Sequence, residues 1–89
     1  VPQLYDTERK VIYRHSDSTL EVYELWYYTD YVTRPSKTED GYICGRLDSE
    51  GKFLDENTIY QDKIVGYLED NLDLWHRYLE LTDQIKNLK

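Results

Sequence analysis

The side chains able to do chemistry in this chain are few, and their spacing does not bring them together. The two histidines, His15 and His76, stand toward opposite ends of the 89 residues, and neither has the second His or Cys a few positions away that a metal site would need. His76 falls between Trp75 and Arg77 on the polar side of an expected helix, where a solvated histidine is the natural reading. Cys44 is the only cysteine; a nucleophilic set needs a base and a carboxylate beside it, and its sequence neighbours supply neither. It reads as a small buried residue. Asp48, Glu50 and Gly51 resemble part of a calcium loop, but the glycine comes too early and the closing carboxylate spacing is missing. Gly41 and Gly45 lack the further glycines and the Lys-Ser/Thr pair of a phosphate-cradling loop. The sequence therefore predicts no catalytic residue, no cofactor and no metal, and a non-enzymatic protein.

What remains is surface. A formal net charge of −7 argues against direct nucleic-acid binding, which relies on clustered Lys and Arg at phosphates, and favours either a protein partner with a basic surface or no charged partner at all. One cysteine permits no internal disulfide and suggests a reducing, cytoplasmic setting. No run approaches the ~20 apolar residues of a membrane span, and Val1 opens no signal-peptide pattern. The sequence has no Met at all, so an initiator Met is expected to have been removed or to lie outside the numbered residues. Hydrophobic content of 39%, with ten Tyr and two Trp, offsets 33% charged residues well enough for a folded core. The length suits one domain with a modest core, a size that favours oligomers.

The expected elements are a small antiparallel sheet and a long C-terminal amphipathic helix, an α+β fold in a single domain of residues 1–89. Residues 1–9 read as an arm. Val11, Ile12 and Tyr13 favour a strand, and His15 to Ser18 a turn. Between Thr19 and Thr33, Ser18 and Glu21 resemble a helix capping box, yet the run is dominated by strand formers, and strand is the reading adopted. Alternation then places Leu20, Val22, Trp26, Tyr28 and Val32 on one face, with Tyr23, Leu25, Tyr27 and Tyr31 on the other. Arg34 to Gly41 reads as a hairpin loop and Tyr42 to Leu47 as a third strand, with Gly45 a bulge or a point of close approach. Asp48 to Gly51 form a turn, and Lys52 to Leu54 return as a short edge strand, giving three to four strands within residues 10–54.

From Asn57 to Lys89 apolar residues recur at helical steps. Tyr67, Leu74, Leu81 and Leu88 share one heptad position, with Ile64, Asn71, Tyr78 and Ile85 midway between, as in paired helices. A second stripe, Val65, Leu68, Leu72, Trp75 and Leu79, stops where the first continues. Together they span roughly 160°, more than a dimer seam needs, so the middle of the helix is expected to pack on the sheet and its last turns on another surface. About 30 helical residues would run roughly 45 Å, against about 20 Å for ordinary strands. The alternative is a break at Asp70 and Asn71, with Asn71 capping a second helix.

These surfaces carry the functional expectation: an acidic interaction module, a homodimer through Leu74, Tyr78, Leu81, Ile85 and Leu88. Its partner-binding residues would be Tyr23, Tyr27 and Tyr31 on the aromatic strand and Asp62, Glu69, Asp70, Asp73 and Glu80 on an acidic helix side. The competing expectation is an acidic inhibitor, of the kind phages and mobile elements encode, that occupies the basic nucleic-acid-binding surface of its target.

Overall fold

β-Branched and aromatic side chains are dense enough over most of the chain to build a sheet larger than its turn signals suggest. The computed structural model describes residues 3–87. It contains strands β1 (Lys10–Arg14), β2 (Leu20–Arg34), β3 (Lys37–Leu47), β4 (Phe53–Tyr60) and β5 (Ile64–Tyr67), followed by helix α1 (Leu72–Asn87). The strands form one sheet in the order β4-β3-β2-β1-β5, and every neighbouring pair is antiparallel. The fold is thus α+β, with five strands rather than three to four.

The turns follow their local chemistry. After β1, Ser18 takes a φ of 71° and donates its N–H to the His15 carbonyl, while the Asp17 carboxylate accepts from Thr19. After β3, Asp48 accepts from the N–H groups of Glu50 and Lys52, and Gly51 supplies a φ of 84° that a side chain would resist. Between β2 and β3 the expected loop Arg34–Gly41 shrinks to Pro35 and Ser36, because Thr33 pairs with Thr38 and Val32 with Glu39, extending the ladder through residues that suit it.

The largest correction concerns residues 57–71, expected as helix. Asn57 to Tyr60 complete β4 against β3, and Ile64 to Tyr67 form β5 against β1. Two single 3-10 turns, Gln61–Lys63 and Leu68–Asp70, join these pieces. The reason is burial: Ile59 and Ile64 enter one core from opposite sheet edges, which a single straight helix could not arrange. The helix begins after Asn71, where the chain was expected to break in the alternative reading, although no α-helix precedes it. The Asn71 carbonyl accepts the first helical bond from Trp75, and its side-chain amide donates to the Tyr67 carbonyl. Gly66 makes room for that amide; a Cβ there would lie 2.8 Å from Asn71 Nδ2.

Because only Gln61–Lys63 separates the edge strands β4 and β5, the sheet must curl to bring those edges near each other at one end. Its inner side holds Val11, Tyr13, Tyr23, Leu25, Tyr42, Cys44, Ile59 and Ile64, closed by Tyr5, Tyr28 and Tyr67. The Tyr42 hydroxyl accepts from the Tyr5 N–H and lies 2.9 Å from Gln61 Oε1, which itself accepts from the Leu4 N–H. The arm is thereby tied over the open end. The outer side is covered at one end by α1, whose Trp75 packs on Ile12, Leu20, Val22 and Leu47.

Candidate functional site

A β-bulge decides which aromatic side chains reach the surface. Leu25 pairs with Cys44 but Tyr27 with Ile43, so Trp26 is an extra residue and the alternation shifts beyond it. Tyr23 and Leu25 point into the inner core and Tyr28 rejoins them there, while Tyr27 and Tyr31 are 66% and 77% exposed. Tyr23, Tyr27 and Tyr31 therefore do not form one face, contrary to the alternation reading. Tyr23 lies with its hydroxyl 3.3 Å from His15 Nε2, which is 2.8 Å from Glu21, and burial pushes its phenol well above the ordinary range.

The acidic residues are likewise dispersed, since most precede the helix. Asp62 sits in the first 3-10 turn and pairs with Arg34 at 2.6 Å; Arg34 also bonds Glu39 and covers the Tyr60 ring. Glu69 pairs with Arg9, which lies 3.5 Å over the Tyr67 ring. Asp70 is exposed in the second turn, while Asp73, Glu80 and Asp83, the last also part of the expected acidic side, are exposed on α1. The expected acidic side is therefore confined to its α1 members, because Asp62, Glu69 and Asp70 precede the helix. Asp73 and Glu80 remain exposed together beside His76 and Arg77 along a shallow surface depression.

The helix stripe expected to self-associate is divided between packed and exposed positions. Leu74, Tyr78 and Leu79 are half-buried against the outer core, with Tyr78 stacked on Trp75 at 5.7 Å. Leu81 and Ile85 lie one heptad after Leu74 and Tyr78 and are 52% and 60% exposed. Leu88 lies outside the described residues. The sheet thus covers α1 only through Tyr78 on this stripe and Leu79 on the second, and the following turns carry bare aliphatic surface.

Sequence reasoning missed a third surface, the outer side of β2, β3 and β4 beyond the helix. Trp26 stacks on Phe53 with ring centres 5.8 Å apart, and its indole N–H donates to Glu24 at 3.2 Å. Both rings lie over Gly45, where a Cβ would meet Trp26 at 2.6 Å and Phe53 at 3.1 Å. The close approach expected at Gly45 is real, and it was the signal that could have located this platform.

On the inner side of the same strands, Arg46 bonds both carboxylate oxygens of Asp55 at 3.0 and 2.8 Å and also reaches Glu21. These bonds hold the Asp55 carboxyl below the usual aspartate range. Cys44 is fully buried, donates to the Asn57 carbonyl, and has its thiol pushed up to about 12 by burial, so it stays protonated at neutral pH. Among the described residues no cluster of three or more His, Cys, Asp or Glu could hold a metal, and no helix is long and apolar enough to cross a membrane. The exposed features of the surface are an aliphatic helix stripe, an aromatic platform and carboxylates. No family model matches the chain, and no curated protein or solved structure is significantly similar to it.

Proposed function

We propose that this protein is a non-enzymatic interaction module that self-associates through α1 and presents its acidic surface to a second, basic protein. The observation that carries the reading is the exposure of Leu81 and Ile85, 52% and 60%, on the stripe that continues from the packed Leu74 and Tyr78. Aliphatic groups so placed gain by pairing with the same stripe of a second copy. Four such side chains, two from each copy and each with 52% or 60% of its surface left to cover, contribute about 3–7 kcal/mol if fully buried, against an association cost at least as large. The dimer is accordingly weak, with a Kd in the micromolar range or above.

Sedimentation over about 10 to 500 µM tests this, with dimer populating toward the upper end. A Leu81→Asp, Ile85→Asp variant should remain monomeric throughout while keeping its circular dichroism spectrum. An unmodified chain that is monomeric at every concentration overturns the self-association reading.

A second reading is an acidic inhibitor that fills a basic nucleic-acid-binding surface. It is favoured by Asp73 and Glu80, which are exposed on α1 and make no ion pair among the described residues. Salt separates the two: capture by charge weakens steeply as ionic strength rises, whereas an apolar seam does not.

A further inference from the structure

The outer side of the sheet is finished by α1 at one end and left open at the other. Across the open end, the register sets Glu24, Gly45 and Glu56 in one row and Tyr27, Ile43 and Thr58 in the next. Side chains paired across neighbouring strands share a face, so Glu56 projects on the same side as the Trp26–Phe53 stack. β4 is also the last strand of the sheet, and alternate residues of such a strand direct their N–H and C=O groups away from it.

Edges of this kind are usually blunted by Lys, Pro or an inward charge. From Phe53 to Tyr60, β4 contains neither Lys nor Pro, and its charges are Asp55 and Glu56. Arg46 neutralises Asp55 on the inner side. Glu56 is exposed and makes no ion pair among the described residues. The edge therefore carries one uncompensated negative charge beside exposed aromatic rings, Phe53 at 58% and Tyr27 at 66%.

Charge selects the occupant. A second copy adding antiparallel along β4 would bring Glu56 opposite or diagonal to the acidic pair of its neighbour, a repulsion added to the −7 on each chain. A segment alternating Arg or Lys with strand-forming residues meets the opposite situation. Its backbone pairs with β4, one cation reaches Glu56, and another lies over Trp26 or Phe53, where a guanidinium is attracted to the ring face. The overall negative charge steers such a segment inward.

We propose that β4 and the Trp26–Phe53 platform form a docking site for an extended basic segment of a partner protein, bound by strand addition. The site lies apart from the Leu81–Ile85 stripe and stands independently of self-association.

The test uses a fluorescent peptide that alternates Arg and Thr over the eight residues of β4, and a control in which Pro replaces two of the Thr. Anisotropy reads affinity on the full chain, and amide exchange reads location. The alternating peptide should bind at least about tenfold more tightly than the Pro control, a difference of about 1.4 kcal/mol, and should slow exchange across residues 54–59. Glu56→Lys should weaken it about tenfold, Glu56→Gln less, and the Leu81→Asp, Ile85→Asp variant should bind it as the unmodified chain does. No binding, equal binding of both peptides, or slowed exchange elsewhere with Glu56→Lys unchanged would each overturn the proposal, whatever the oligomeric state proves to be.

Discussion

The two ends of the outer sheet face use the same strands and are finished by opposite means. Under α1, the sheet presents Ile12, Leu20, Val22 and Leu47, aliphatic groups that pack with the buried Trp75. Around Gly45, and one strand further from α1 at Phe53, it presents Trp26, Tyr27 and Phe53 with Glu24 and Glu56, and the Trp26 and Phe53 rings cover the Gly45 backbone themselves. The difference teaches that burial at the first end depends on another element, whereas the second is capped by its own side chains and keeps polar groups within reach of solvent. One end is core; the other is surface with a core-like composition.

The sharpest way to break this comparison is to truncate the ring at each end. Trp75→Ala removes the contact that joins helix to sheet and should cost about 3–5 kcal/mol in denaturant unfolding. Phe53→Ala, at an exposed position, should cost less than about 1 kcal/mol. Equal losses would mean that the two ends are not distinct.

A smaller contrast lies between two glycines of β3. At Gly41 an added Cβ runs into the Ile59 carbonyl and the Val32 side chain, so Gly41→Ala must shift backbone and should destabilise by about 1–3 kcal/mol. At Gly45 the obstacles are the outer edges of the Trp26 and Phe53 rings. Gly45→Ala should therefore cost about 1 kcal/mol or less, and its main sign should be a changed Trp26 fluorescence as the stack is pried up.

The smallest effect expected is electrostatic and separates the inner side from the outer. Asp55 has a folded pKa depressed by its bonds to Arg46, so its contribution is present above the unfolded aspartate value of about 3.9 and is lost as pH falls through the lower folded value. Unfolding midpoints should thus decline on acidification below about pH 4, and the Asp55→Asn variant should show a shallower decline. Asp17 and Asp48, also held low by their turn hydrogen bonds, leave a residual slope in both. Identical curves for the two proteins would remove Arg46–Asp55 as a source of stability.

The sequence made the strands legible where β-branched and aromatic residues cluster and a turn residue follows, as at Val11–Tyr13 and after Leu47. It misled between Asn57 and Asn71 because Ile64, Tyr67 and Leu68 happen to fall in step with the helical spacing of Leu74, Tyr78 and Leu81. Spacing alone does not distinguish a short strand leading into a helix from more helix. The bulge at Trp26 left no Gly or Pro to mark it, so the face assignments of Tyr27 and Tyr28 inverted, and a second register shift between Thr29 and Val32 broke the alternation again at Tyr31. The exposed helix stripe was readable because the second stripe ends at Leu79. The aromatic platform was not, since it joins Trp26 to Phe53 across a third strand.

The latch between the arm and Gln61 bears on how the chain matures during synthesis. Leu4 and Tyr5 bond to groups on Gln61 and Tyr42, and Tyr67 completes the cluster around Tyr5. Translation delivers the arm before its receptors, so the opening it seals cannot close until residue 67 has been made. Closing that opening therefore joins residues far apart in the order of synthesis, Leu4 and Tyr5 with Gln61 and Tyr67.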